Sequence, residues 1–137
     1  MFRHLLVPLD LSDRNARLLR IALSLARQSG ARVTLLHVVD RIAHTSLREF
    51  RDFYRKLEKK SLRKLDSVAR KFRSEGLRVR TVVVIGDPAL EIARATVARG
   101  VDLVVMGSHK LRPGSRGWGT TSYKVGLASQ CPILLVK

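Results

Sequence analysis

The chain has 137 residues, 45% of them hydrophobic and 28% charged, which suits one soluble domain with a single core and is too polar for a membrane-embedded protein. Lysine and arginine number 27 against 11 aspartate and glutamate, a formal net charge of +16, so a polyanionic partner has to be weighed from the start. The lone cysteine, Cys131, cannot form an internal disulfide, and no Cys/His cluster has zinc spacing.

The first predicted strand runs from Phe2 to Leu9 and is broken by Asp10. It is too short for a signal-peptide core or a membrane span, so a cytoplasmic location is expected. Ser12 or Asp13 can cap a helix that carries Leu18, Ala22, Leu25 and Ala26 at helical spacing, and Gly30 supplies its stop. Ala31 to Val39 reads as a strand buried on both faces, with His37 a hydrogen-bonded core residue. From Ser46 to Ser74 the residues Leu47, Phe50, Tyr54, Leu57, Leu65, Val68 and Phe72 form an apolar stripe, interrupted at Ser61, that predicts a long amphipathic helix. Arg78 to Ile85 is the third strand. Asp87-Pro88 opens a helix to Arg99, and Val101 to Met106 is the fourth strand. A loop from Gly107 to Gly119 holds four glycines, a proline and three basic residues. A last helix from Thr120 to Gln130 and a fifth strand from Pro132 to Val136 complete the chain, with Cys131 expected as a buried, inert thiol.

Strands alternating with helices predict an α/β fold, a doubly wound five-stranded parallel sheet of the flavodoxin type with helices on both faces, forming a single domain over residues 1–137. Ligands of such sheets sit at the carboxyl ends of the strands, where neighbouring connections leave to opposite faces. Asp10 follows the first strand and Gly107 the fourth, so these mark the place if the two strands are neighbours. The loop then leads to Thr120, Thr121 and Ser122, whose amides open a helix and make an anion site. Lys110, Arg112 and Arg116 can add charge. Each feature also has a plainer reading: Asp10 and Thr120 as helix caps, the loop as a surface connection, His109 as a loop residue. No Walker loop, dinucleotide fingerprint or nucleophile elbow is present, so no catalytic residue is named.

Several segments together resemble the universal stress protein family: His4 to Ser12 (HLLVPLDLS), Leu35 to Asp40 (LLHVVD), Gly86 to Ile92 (GDPALEI), Asp102 to His109 (DLVVMGSH) and Cys131 to Val136 (CPILLV). They span the chain in the family's order. The resemblance implies a regulatory, stress-response module rather than an enzyme, with ATP, with or without magnesium, over the first and fourth strands and a homodimer through the last strand. It places Pro8 and Asp10 at the ribose and adenine end, lets the backbone of Val38 read the base, and sets Met106, Gly107, Lys110, Gly119, Thr120, Thr121 and Ser122 along the nucleotide. The family's loop pattern is G-x2-G-x9-G-[ST]. Here Lys110 stands at the second glycine, and eight residues, Leu111 to Trp118, precede Gly119. Lys110 therefore either replaces an amide by a charge or blocks the phosphates, which leaves a dimer that binds partners without nucleotide as the alternative.

Residues 41–80 hold 14 basic against 5 acidic side chains. Nucleic-acid binding through this segment is the third reading, ranked below the others because no recognised motif accompanies the charge and a basic helix face is commonly just solvated.

Overall fold

The computed structural model describes residues 1–108 and 120–137. In chain order the elements are β1 (His4–Pro8), a 3-10 turn (Asp13–Asn15), α1 (Ala16–Ser29), β2 (Arg32–Asp40), α2 (Arg51–Ser74), β3 (Val79–Gly86), α3 (Pro88–Ala98), β4 (Leu103–Gly107), α4 (Thr121–Ala128) and β5 (Ile133–Val136). The strands form one parallel sheet in the order β3-β2-β1-β4-β5. Side chains alternate across it. Leu5, Val7, Val33, Leu35, Leu103 and Val105 face a core built with α1 and α2, through Leu18, Ala22, Leu65 and Phe72. Leu6, Leu36, Val104 and Met106 face a second core, where Ala89, Ile92 and Ala95 of α3 meet Val125 of α4. The sheet is thus covered on both sides, as the uninterrupted apolar runs of its central strands require.

Local chemistry sets the helix ends. Gly30 stops α1 at φ 63°, a left-handed conformation that costs glycine nothing. The Asp87 carboxylate accepts from the Leu90 amide at 2.9 Å and Pro88 stands at the first helical position. The long helix begins at Arg51, later than the stripe from Ser46 predicts. Upstream, hydroxyls compete for the backbone: Thr45 Oγ1 donates to the Ile42 carbonyl at 2.6 Å, and Ser46 Oγ accepts from the Glu49 amide at 3.0 Å. Leu47 and Phe50 consequently lie exposed instead of facing the core, while Tyr54 is buried with its hydroxyl accepting from the Ile42 amide at 3.0 Å. Ser61, expected to interrupt the stripe, is buried on it, and Cys131 is half-buried at the edge of the α3–α4 core.

β1 and β4 pair only at Leu5↔Leu103 and Leu6↔Val104, whereas β1 follows β2 through Pro8↔Leu36. The His4 carbonyl accepts from the Asp102 amide, and the Leu9 amide donates to the Leu36 carbonyl. Even-numbered residues of β1 therefore turn their backbone groups toward β4 and odd-numbered ones toward β2. Pro8 is even-numbered and has no N–H, so it cannot extend the β1–β4 ladder. Beyond it the two strands are free to separate.

At the other end of the sheet His4 is buried, with Nδ1 donating to the Arg99 carbonyl at 2.9 Å and Nε2 accepting from Thr34 Oγ1 at 2.7 Å. Both bonds suit the neutral ring. Burial lowers the His4 pKa and the charge of Arg32 lowers it further, against smaller opposing effects of the Arg99 carbonyl, Asp102 and the Gly100 backbone.

A base with a lowered folded pKa takes up its proton in the unfolded chain first. Its contribution to stability is present above the unfolded value of about 6.5 and declines as pH falls through that value toward the folded one. The urea midpoint is expected to drop between about pH 7.5 and 5, and His4→Gln should flatten that slope. An unchanged slope in the variant assigns the acid sensitivity to other groups. Phe72→Ala, which empties a fully buried site in the core that α1 and α2 form with the sheet, is expected to cost about 3–5 kcal/mol by the same denaturant titration.

Candidate functional site

The separation of β1 from β4 opens a crevice of about 690 Å³ at the carboxyl ends of the strands. Its walls include Pro8 and Asp10 after β1, His37 and Val38 on β2, Met106 and Gly107 on β4, and Thr121 and Ser122 at the start of α4. Seven of the residues singled out in the sequence therefore meet in one place. Thr120 stands just behind them: its hydroxyl accepts from the Tyr123 amide at 3.2 Å, the capping role that was its plainer reading. Lys110 and Gly119 lie outside the described residues, as does His109.

Asp10 serves the fold with one oxygen. Oδ1 accepts from the Ser12 amide at 2.9 Å, the Ser12 hydroxyl at 2.7 Å and the Asn15 side-chain amide at 2.8 Å, which shapes the turn into α1. Leu11, between them, takes φ 63°, an unusual conformation for a bulky residue. Oδ2 accepts no hydrogen bond from the described residues, which leaves it for a donor in the crevice. Partial burial pushes the Asp10 pKa up, but the bonds from Ser12 and Asn15 and the charge of Arg14 outweigh it, so the carboxyl sits below its ordinary value and is ionised at neutral pH.

The backbone of β2 offers a second polar group. Val33 donates to the Arg78 carbonyl on the β3 side, and Leu36 accepts from Leu9 on the β1 side. The same alternation turns the N–H and C=O of Val38 toward β1's side, where β1 has already ended. An adjacent donor and acceptor on a strand edge can read the edge of a planar heterocycle.

At the opposite wall, a Cβ added to Gly107 would meet none of the described residues within 4 Å. Packing among those residues does not demand glycine there, and Gly107 borders the crevice. Beside it, the first amides of α4 have no carbonyl within their own helix and carry the positive end of its dipole. The crevice thus combines an ionised carboxylate and a strand edge on one side with a glycine and a helix start on the other.

Sequence reasoning missed part of the lining. Arg14 of the 3-10 turn, Arg17 at the start of α1, and Pro88 and Ile92 of α3 border the crevice. His37 is half-buried and not a core residue: its Nδ1 donates to the Leu9 carbonyl at 2.7 Å and its ring borders the same space. No sequence signal marks it, because its place past the end of β1 follows from the register of β1 on β2.

The curated universal stress protein YxiE of Bacillus subtilis is 29% identical, with both chains covered in full. The solved structure of the protein MJ0577, from Methanocaldococcus jannaschii, superposes with a TM-score of 0.86 at 28% identity, covering 100% of this chain and 96% of that one. At lower identity, universal stress protein structures in complex with dAMP, from Archaeoglobus fulgidus (22%, TM-score 0.71, 99% of this chain and 98% of that one), and with cAMP (18%, TM-score 0.73, 99% and 97%) share the fold. The universal stress protein family matches residues 1–137, and with the order of strands and the crevice in agreement with the segments quoted above, the chain belongs to the universal stress protein family.

Proposed function

We propose that the chain is a regulatory module that binds an adenine nucleotide, ATP, in the β1–β4 crevice and acts as a homodimer. The observation that carries the reading is the pairing of complementary chemistries across one space. Asp10 Oδ2 and the backbone edge of Val38 suit ribose hydroxyls and an adenine edge. Gly107 and the helix start at Thr121 and Ser122 suit phosphate. The family relatives in complex with dAMP and cAMP support an adenine nucleotide as the ligand class. Magnesium would arrive with the phosphates, which themselves supply oxygen ligands.

Rapid hydrolysis is not expected of this site. The carboxyl of Asp10 is held below its ordinary pKa, and a weakly basic carboxylate is a poor acceptor for the proton of an attacking water.

Binding of ATP with magnesium is to be read by calorimetry, after mass spectrometry of the denatured protein has established whether nucleotide is carried through purification. Asp10→Ala is expected to weaken binding about ten-fold, the loss of one charge-assisted hydrogen bond. Gly107→Val, at a strand end where its backbone conformation is ordinary, should fold normally and lose binding more severely, because its side chain enters the crevice. Unchanged affinity in both variants would move the ligand elsewhere.

The dimer reading rests on β5. This strand pairs with β4 on one side only, and Leu134 and Leu135 are 38% and 45% exposed. An apolar edge strand with unpaired amides invites a second chain, and a two-fold contact covers it without growing into a fibre. Sedimentation at micromolar concentration is expected to show a dimer, and Leu134→Lys should shift it to monomer. A monomeric unsubstituted chain would overturn this part of the reading.

A further inference from the structure

The amino-terminal end of the sheet holds a second cavity, of about 460 Å³, lined by His4, Arg32, Thr34, Arg78, Arg80 and Arg99 among others. Strand register explains why these residues meet. His4 pairs with Arg32 and Thr34 with Arg80, and Arg78 lies one step before the Val33↔Val79 pair, beside Arg32. All lie on the face that carries Leu36 and Val82, which is the face covered by α3. α3 ends at Ala98, so the last turn of the helix roofs the cavity and brings Arg99 to it.

Arginines side by side on one face of a sheet repel, since neighbouring strands are only about 4.8 Å apart. Compensation by acidic side chains is absent: among the described residues the ion pairs are Arg27–Glu75 and Arg94–Glu91, and no carboxylate bonds to Arg32, Arg78, Arg80 or Arg99. Asp102, whose carboxylate faces the start of β1, is committed to the amides of Arg3 at 2.8 Å and His4 at 3.0 Å and does not line the cavity. Four arginines thus line one concave space, and none of their side chains bonds to a described residue.

We propose that this cavity is an anion site that takes a compact group of two or more linked phosphoryls, separate from the nucleotide crevice at the opposite end of the sheet. A single carboxylate satisfies one guanidinium fork, whereas a diphosphate presents oxygens to several at once. The volume falls in the range of small-ligand sites, about 300–1,000 Å³, and its concave form favours a small anion over a duplex lying across a flat surface. The source is either free pyrophosphate or the diphosphate of a nucleotide.

Two histidines report the two ends separately, because His4 lines this cavity and His37 the crevice. In imidazole NMR spectra of the intact protein, inorganic pyrophosphate is expected to move the His4 resonances saturably at concentrations that leave His37 unmoved. ADP in place of pyrophosphate sorts the source: a His4 shift beside that of His37 assigns the nucleotide diphosphate, and a His37 shift alone assigns the free anion. The double variant Arg78→Gln/Arg80→Gln, at exposed positions near the start of the edge strand, should weaken the pyrophosphate response of His4 at least ten-fold. Without anion it should melt no lower than the unsubstituted protein at low salt, because it relieves like-charge repulsion. The site is overturned if pyrophosphate leaves His4 unmoved, if both histidines drift together without saturation as bulk screening would produce, or if the folded double variant responds as the unsubstituted protein does. A short DNA duplex that moves His4 at lower concentration than pyrophosphate would also overturn it, in favour of nucleic acid.

Discussion

Parallel strands are held by amides that face alternate neighbours, and at Pro8 the amide that would face β4 does not exist. β1 is the central strand, paired on both sides and fully buried from Leu5 to Val7. Its ladder to β2 continues past Pro8 through the Leu9 amide, while its ladder to β4 stops at Leu6↔Val104. The chain leaving β1 passes to the α1 face, whereas α4, which follows β4, packs on the other. A missing donor at one position and opposite exits at the same place together make the crevice. Asp10 then stabilises the exit turn through Oδ1 and keeps Oδ2 clear of it. The same side chain shapes the wall with one oxygen and leaves the other to the crevice.

The amino-terminal end is organised by a different bond set. His4 links β1 to Thr34 of β2 and to the carbonyl end of α3, and Asp102 ties the start of β4 to the amides before β1. Three strands and a helix end are joined by neutral or backbone-directed bonds. The arginine side chains around them contribute none of these bonds, so their replacement is not expected to dismantle the fold. A carboxylate directed at Arg32 or Arg78 would have been the ordinary way to settle the charge. Its absence separates this cluster from a structural ion-pair network.

Much of this was legible in the chain because local signals agreed with one another. Gly30, Asp87-Pro88 and Thr120 act where their chemistry places them, and the apolar runs of β1, β2 and β4 lie in the centre of the sheet. Asp10 and Gly107 were found because a doubly wound sheet has one natural place for a ligand. Leu47 and Phe50 misled because helical spacing carries no information on where the helix starts, and the hydroxyls of Thr45 and Ser46 delay it. Tyr54 continues the stripe that Phe50 only appeared to begin. Neither His37's place on the crevice wall nor the arginine cavity was visible, because both depend on register between strands: Arg32 and Arg80 are 48 positions apart in sequence and two residues apart in register. His4 carried no pattern at all, since its partners Thr34 and Arg99 come from distant elements.

The net charge of +16 makes the potential positive around both ends of the sheet, yet it does not couple them. β2 runs from Arg32 beside the cavity to Asp40 beside the crevice, about 26 Å at about 3.3 Å per residue. That distance is roughly three times the screening length of about 8 Å at physiological ionic strength. At low salt the summed field draws anions to either end. At physiological salt, charge brought to one end is hardly felt at the other. Any communication between them has to be mechanical, and α3 is the element placed to carry it: Pro88 and Ile92 border the crevice at its start, and Ala98 and Arg99 border the cavity at its end. A helix packed on the sheet through Ala89, Ile92 and Ala95 moves as a unit when it moves. His4, bonded to the Arg99 carbonyl, fixes the far end of that helix. A shift of α3 that widened the crevice would therefore strain the His4 bond, which ties the helix end to β1 and, through Thr34, to β2.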